Sequence, residues 1–227
     1  MSINALFDPS PDPAAGRVLL VMLPGVNDRA SSFFSNGIVQ ALRERRLPVD
    51  ALGIDVDFPA YADGSLLPRL HGEIDRIAHR RGIERLWFVG TSLGAMGALM
   101  YCRAHPGSTD GVVLLAPYLA SRRVLVQIAK AGGLDAWRPD ANEPGDMEWR
   151  VLDWLRREVR DASSGLHVHL GYGRSDPFAL GSTLLQALLP AQRSVDTAGS
   201  HDWPTWSALW ASVLDRDPFE AKTARAT

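Results

Sequence analysis

An α/β fold, with a mostly parallel sheet of about six strands flanked by helices, is what this sequence predicts. Three observations predict it. Apolar runs too short for helices recur along the chain, stretches with helical spacing lie between them, and Gly and Pro punctuate the joins. Length and composition allow such a domain: 227 residues, 46% hydrophobic and 22% charged, can close a sizeable core, and so ordinary a composition excludes collagenous and disordered chains.

The first apolar run, residues 18–23 (Val-Leu-Leu-Val-Met-Leu), is apolar at every position and is closed by Pro24 and Gly25, the pattern of a strand covered on both faces. Runs at 49–55, 84–89, 111–116, 166–170 and 192–197 repeat it, giving six strands. After the first strand, Ser31 and Ser32 are candidate caps for a helix whose apolar face carries Phe34, Ile38, Ala41 and Leu42. Leu70, Ile74, Ile77 and Ala78 form the stripe of the next. Further helices are predicted over 93–103, 180–189 and 206–214, the last with Trp206, Leu209, Trp210 and Val213 on one face. Strict alternation of strand and helix implies right-handed crossovers and helices on both sides of the sheet.

About fifty residues separate the strand ending at Ala116 from the one beginning at Leu166, more than a simple crossover needs. Residues 118–163 are therefore read as a small helical insertion, with helices over 119–131 and 147–160, a loop between them and Asp146 as a cap. It is either an ordinary excursion or a cap over a site. Trp137, Trp149 and Trp154 correspondingly either roof an apolar pocket or pack the segment onto the sheet. With no repeat and no second core, residues 1–227 read as one domain.

Lys plus Arg number 24 and Asp plus Glu 26, so the net charge of -2 provides no basic field for nucleic acid or anionic lipid. The lone cysteine, Cys102, excludes an intrachain disulfide and a multi-cysteine zinc site, and its place late in a helix predicts packing. The N-terminal segment carries acids and prolines where an export signal has a basic start and ~7–15 apolar residues. No run approaches the ~18 residues that cross a bilayer. The expectation is a cytoplasmic protein with a small-molecule substrate, no nucleic-acid partner and no membrane span.

In an open parallel sheet, ligands bind beyond the carboxyl ends of the strands. Candidate residues are thus those at 24–29, 90–94, 117–118, 171–178 and 198–203. The second group reads Gly90-Thr-Ser92-Leu-Gly94, a G-x-S-x-G between a strand and a helix, which is the context of a nucleophile elbow. On so sharp a turn, positions two before and two after the serine tolerate almost no Cβ. A helix starting at Leu93 offers free N–H groups beside the Ser92 hydroxyl. The plain alternative is a Gly-rich turn without chemistry.

A serine hydroxyl needs a base. His71 and His79 fall in a charged helical stretch, and His105 follows a helix leading away from the elbow, so these three read as surface residues. His167 and His169 share one strand face, a possible metal pair lacking a third ligand nearby. His201 follows the last strand and is the predicted base. Asp176 follows the penultimate strand at the same edge and is the predicted orienting acid. Asp202 adjoins His201 in an extended loop, where neighbouring side chains diverge, and instead suits the N-cap of the helix after Pro204.

The order Ser92, Asp176, His201 is that of α/β-hydrolases. From about Arg17 to Leu214 the sequence resembles an α/β-hydrolase-fold serine hydrolase of esterase type. The resemblance implies that fold without its N-terminal hairpin, no cofactor or metal, and oxyanion donors at Val26 and Leu93. Many members carry His where this chain has Pro24. Gly199-Ser-His201-Asp-Trp203 followed by Trp206 also resembles the histidine loop of esterase-D-like acyl hydrolases. Asn27, Tyr118 and Trp203 are candidate substrate-binding residues. Asn27, Asp28 and Arg29 either line the mouth or begin the next helix. The expected reaction is hydrolysis of a carboxylic ester through an acyl-enzyme. Alternatives within the fold are a thioesterase, lysophospholipase, peptidase or acyltransferase, an enzyme using the site without acylation as some lyases do, or a non-catalytic ligand-binding member.

Overall fold

The computed structural model describes residues 4–12, 17–139, 147–161 and 163–219. Seven strands form one sheet: β1 (Ala5–Asp8), β2 (Val18–Leu23), β3 (Val49–Ile54), β4 (Arg85–Thr91), β5 (Gly111–Leu115), β6 (His167–Gly173) and β7 (Ser194–Thr197), in the order β1-β3-β2-β4-β5-β6-β7. All neighbours pair in parallel except β1, which runs antiparallel to β3 with Ala5 opposite Ile54 and Asp8 opposite Ala51. The sheet thus has one strand more than the apolar runs predict. Leu6 and Phe7 of β1 are exposed at the sheet edge, so no buried run marks the strand in the sequence. It pairs with β3 rather than β2, so β1 and β2 do not form a hairpin.

The two faces of the sheet are covered by different helices. Alternate side chains of β2 divide between two apolar clusters, as a period of two requires. Leu19, Val21 and Leu23 pack with α4 (Leu66–Arg81), α5 (Leu93–Ala104) and α7 (Met147–Arg160). Leu20 and Met22 pack with α2 (Ile38–Glu44) and α9 (Trp203–Leu214). The single helix predicted after β2 is two, α1 (Ala30–Ser35) and α2, broken where Gly37 takes φ 79°. The short α3 (Phe58–Asp63), stopped by Gly64 at φ 77°, carries no predicted stripe because only Ala60 is buried. The remaining helices are α6 (Arg122–Lys130) and α8 (Ala179–Gln186). The helix predicted from Trp206 begins earlier, at Trp203, because Asp202 caps it by accepting from Thr205 N–H at 3.0 Å.

Of the segment between β5 and β6, α7 buries Trp149, Val151, Leu152 and Leu155 in the α5 cluster. Trp137 meets Trp149 edge to face at 5.7 Å, so both tryptophans pack the segment onto the body; Trp154 is half-buried against the same cluster. Asp146 lies outside the described residues. Cys102 is buried, and burial pushes its thiol up to about 12, consistent with a packing role. Among the described residues no helix is long and apolar enough to cross a membrane.

Candidate active site

Ser92 sits between the last residue of β4 and the first of α5 with φ 50° and ψ -118°, a region L side chains rarely occupy. Three backbone hydrogen bonds hold it there. Its N–H donates to Leu115 O at 3.1 Å, and its carbonyl accepts from Tyr118 N–H at 3.0 Å and Ala95 N–H at 3.2 Å. The flanking glycines are required by contact. A Cβ on Gly90 would lie 2.5 Å from Ala95 backbone atoms, and one on Gly94 would overlap the Leu23 carbonyl.

The turn after β2 is clamped against this elbow. Gly25 N–H donates to the buried Thr91 hydroxyl at 3.1 Å, and a Cβ on Gly25 would lie 3.1 Å from that of Ser92. Asp28 N–H closes the turn on Gly25 O at 3.2 Å, while Asn27 takes φ 70°. Among the described residues, the backbone N–H groups of Val26 and Leu93 have no acceptor. The Leu93 N–H follows Ser92 directly, and Gly25, the residue before Val26, lies against the Ser92 side chain.

Asp176 and His201 come from the turns after β6 and β7. The Nδ1 of His201 lies 2.7 Å from Asp176 Oδ2, and the acid is only 1% exposed against 21% for the imidazole. Asp176 Oδ1 accepts from Phe178 N–H at 2.7 Å, which fixes the carboxylate. The two turns are tied by Ser175 N–H to Gly199 O at 2.9 Å, and Ser200 N–H donates to Thr205 Oγ1 at 3.1 Å. The His201 ring packs between Phe178 at 4.9 Å and Trp206 at 5.0 Å. Phe178 in turn meets Tyr118 at 5.7 Å, the residue whose amide holds the Ser92 carbonyl. Among the described residues Ser92 Oγ has no hydrogen-bond partner, His201 Nε2 included. Such contacts commonly tighten only when substrate binds.

Of the candidate substrate-binding residues, Trp203 is committed elsewhere: its indole N–H donates to Asp28 Oδ1 at 3.1 Å and its ring meets Phe33 at 5.4 Å. Tyr118 donates to Glu148 Oε1 at 2.6 Å, and Glu148 also accepts from Ser121 N–H at 3.0 Å. Asn27 is exposed beside a groove of about 280 Å³ lined by the turn from Pro24 to Arg29, by Asp55 to Pro59, and by Tyr61 and Leu93. Asp28 and Arg29 meet both readings at once, since they line this groove and Arg29 is the N-cap of α1.

The sequence reading overlooked Asp55, Phe58 and Tyr61. The signal was available: the run at 49–55 is also a strand ending at the ligand-binding edge, and the residues after it belonged among the candidates. Tyr61 donates to Leu93 O at 3.1 Å, and burial raises its phenol well above the ordinary value, so the hydroxyl remains a donor.

The other histidines lie apart from this cluster. His71 and His105 stack at 4.5 Å, and His105 is half-buried against Tyr101 rather than a free surface residue. His167 and His169 both pack on Trp87, with Arg193 at 3.2 Å from His167 Nδ1. No group of three His, Cys, Asp or Glu among the described residues is placed to hold a metal.

The profile of the family described as "Putative esterase" matches residues 57–214. No curated protein sequence matches the chain. Among solved structures, the chain is similar to FphF of Staphylococcus aureus, a fluorophosphonate-binding serine hydrolase, with TM-score 0.64 and 12% identity over 95% of this chain and 99% of that one. It is similar to Est1E of Butyrivibrio proteoclasticus, with TM-score 0.61 and 17% identity over 95% and 94% of the two chains. A monoacylglycerol lipase of Paleococcus ferrophilus gives TM-score 0.58 and 17% identity over 96% and 98%. At such identities the likeness establishes the fold, that of the α/β-hydrolases.

Proposed function

The chain belongs to the "Putative esterase" family, and from that premise we propose that it hydrolyses small carboxylic esters through an acyl-enzyme formed on Ser92. The observation that carries this reading is the 2.7 Å contact between His201 Nδ1 and a nearly fully buried Asp176 at the strand edge where Ser92 projects from a strained turn. In the mechanism, His201 Nε2 takes the Ser92 proton as Oγ attacks the ester carbonyl. Asp176 fixes the tautomer that leaves Nε2 free and stabilises the imidazolium that forms. The free amides of Val26 and Leu93 hold the tetrahedral oxyanion. The imidazolium then protonates the departing alcohol, and water repeats the sequence to release the acid.

Pro24 does not remove a donor from this scheme, because the donor falls on Val26 two residues later. The described residues of the insertion, 118–139 and 147–161, serve in this reading as a wall on the Tyr118 and Phe178 side. Its support is the pair of hydrogen bonds on Glu148 and the burial of Trp149. A single buried thiol at Cys102 supports a reducing, cytoplasmic setting.

Turnover of p-nitrophenyl butyrate by purified protein tests the assignment. Ser92→Ala and His201→Ala should each lower kcat on the order of 10⁶-fold. Asp176→Asn should cost on the order of 10⁴-fold, through the wrong tautomer. A folded Ser92→Ala protein that keeps its turnover overturns the reading.

A further inference from the structure

We propose that Glu148 is a positioning residue for the reaction: its carboxylate holds Tyr118, and Tyr118 in turn holds the nucleophile turn and braces the ring beside the base. The inference rests on the serine-hydrolase reading above and gives the segment between β5 and β6 a part in it.

The chain leaving β5 needs holding. Ala116 takes φ 47°, a left-handed conformation unfavourable for a residue with a Cβ. Hydrogen bonds on both sides fix the turn: Ala116 N–H donates to Gly171 O at 2.7 Å, and Tyr118 N–H donates to Ser92 O at 3.0 Å. Glu148, in the first turn of α7, grips the same segment at two points. Its Oε1 accepts from the Tyr118 hydroxyl at 2.6 Å and its Oε2 from Ser121 N–H at 3.0 Å. Hydrogen bonds to a carboxylate are roughly twice as strong as those between neutral groups. Burial, followed by the Glu148 hydrogen bond, raises the Tyr118 phenol well above its ordinary value, so the hydroxyl stays a donor.

Two routes lead from Tyr118 to the reacting groups. The first is backbone. The Ser92 carbonyl and the Leu93 N–H belong to one peptide group, and a hydrogen bond into the carbonyl polarises the N–H at the other end. Leu93 N–H is the proposed oxyanion donor, so the Tyr118 amide both fixes that peptide and strengthens its donor. The second route runs through rings. Tyr118 meets Phe178 edge to face at 5.7 Å, and Phe178 meets the His201 ring at 4.9 Å. Phe178 N–H also donates to Asp176 Oδ1 at 2.7 Å, so one residue touches both base and acid.

The fold of α7 does not depend on this carboxylate, because Trp149, Val151, Leu152 and Leu155 bury the helix on the body by themselves. The Tyr118 hydroxyl proton is donated to Glu148. Loss of the bond should therefore act on turnover and leave substrate affinity nearly unchanged.

The experiment measures kcat and KM for p-nitrophenyl butyrate, and the rate of fluorophosphonate labelling, in wild type, Tyr118→Phe, Glu148→Ala, Glu148→Gln and the double variant Tyr118→Phe/Glu148→Ala. Labelling serves also where butyrate is a poor substrate, and circular dichroism checks that each variant is folded. Tyr118→Phe and Glu148→Ala should each lower kcat and the labelling rate about tenfold, with KM changed less than about twofold; outright loss of an oxyanion donor costs ~10²–10³. The double variant should lose no more than the worse single one, because the two groups act as a unit. Glu148→Gln should recover to within about threefold of wild type, since a carboxamide can accept from Ser121 N–H and donate to the Tyr118 oxygen. Should Glu148→Ala fail to fold, Tyr118→Phe decides, because it removes one oxygen and keeps the ring. The positioning role alone is overturned by a folded Tyr118→Phe or Glu148→Ala with kcat and labelling within about twofold of wild type, or by a raised KM at unchanged kcat. Losses that multiply in the double variant, or a Glu148→Gln no better than Glu148→Ala, overturn it equally. A wild type inert toward both the ester and the fluorophosphonate overturns the hydrolase reading itself, and the positioning role with it.

Discussion

Ser92 keeps its strained backbone only because small residues let three segments crowd around it. Gly94 faces the Leu23 carbonyl, Gly90 faces Ala95, and Gly25 faces Ser92 itself. Gly94→Ala should therefore destabilise the protein by about 2–4 kcal/mol, measured as a lowered urea midpoint, because the obstructing atom is backbone and has little freedom to yield. His169 sets an acid limit on stability. Burial, followed by the charges of Arg193, His167 and Arg216, lowers its pKa from 6.5 to about 4. Between those values the unfolded chain binds a proton that the folded chain refuses, so stability is lost as pH falls through this window and is unaffected by this group above it. The loss should reach on the order of 3 kcal/mol near pH 4. Urea titrations at pH 7 and 5 should show the decline in wild type and a weaker one in His169→Leu; equal slopes contradict the assignment. The placement of Ser92, Asp176 and His201 beyond the ends of β4, β6 and β7 was legible in sequence, because the alternation of strands and helices marks those strand ends. The free amide of Leu93 was legible as the first N–H of a helix and that of Val26 through the family resemblance, whereas the Tyr61 hydrogen bond was not, since contacts between α3 and α5 leave no pattern in residue type.

Between elements, the hydrogen bond from Trp203 to Asp28 joins the start of α9 to the turn after β2, and so joins the histidine loop to the candidate oxyanion donors. Trp203→Phe removes the N–H while keeping a ring against Phe33 and Trp206. A lost hydrogen bond to a carboxylate is worth ~1.5–3 kcal/mol, so kcat toward butyrate esters should fall about tenfold or more, with KM changed less than about twofold. Asp28→Asn, which keeps an acceptor oxygen, should retain much of the activity. A Trp203→Phe enzyme with wild-type kcat contradicts the positioning role. The segment between β5 and β6 is likewise bound into the core: Trp149→Ala should cost about 3–5 kcal/mol. The stripe of Leu70, Ile74 and Ile77 lies on the buried face of α4, whereas α5, buried on nearly every side, was legible from its place after the G-x-S-x-G turn. Helix periodicity failed at α3, with one buried residue, and at the α1 to α2 break, where Asn36 ends α1 and Gly37 takes a left-handed φ before α2.

Across the whole molecule, β2, β3 and β5 are buried along their full length and serve as the shared floor of both apolar clusters. Neither layer can leave without exposing the other side of the same strands. Urea unfolding followed by tryptophan fluorescence and by far-ultraviolet circular dichroism should give coincident transitions; a fluorescence change that precedes the dichroism change would contradict a single cooperative unit. The alternation of buried runs and helical stripes made this architecture legible, whereas the exposed edge strand β1 left no apolar run to read. The same parallel topology gathers three distant side chains at one edge, and that convergence is the central claim. Peptide mapping by mass spectrometry after reaction with a fluorophosphonate tests it most directly. The account predicts one stoichiometric adduct on Ser92 that is lost in His201→Ala; an adduct on another residue, or labelling of Ser92 undiminished without the imidazole, would contradict it.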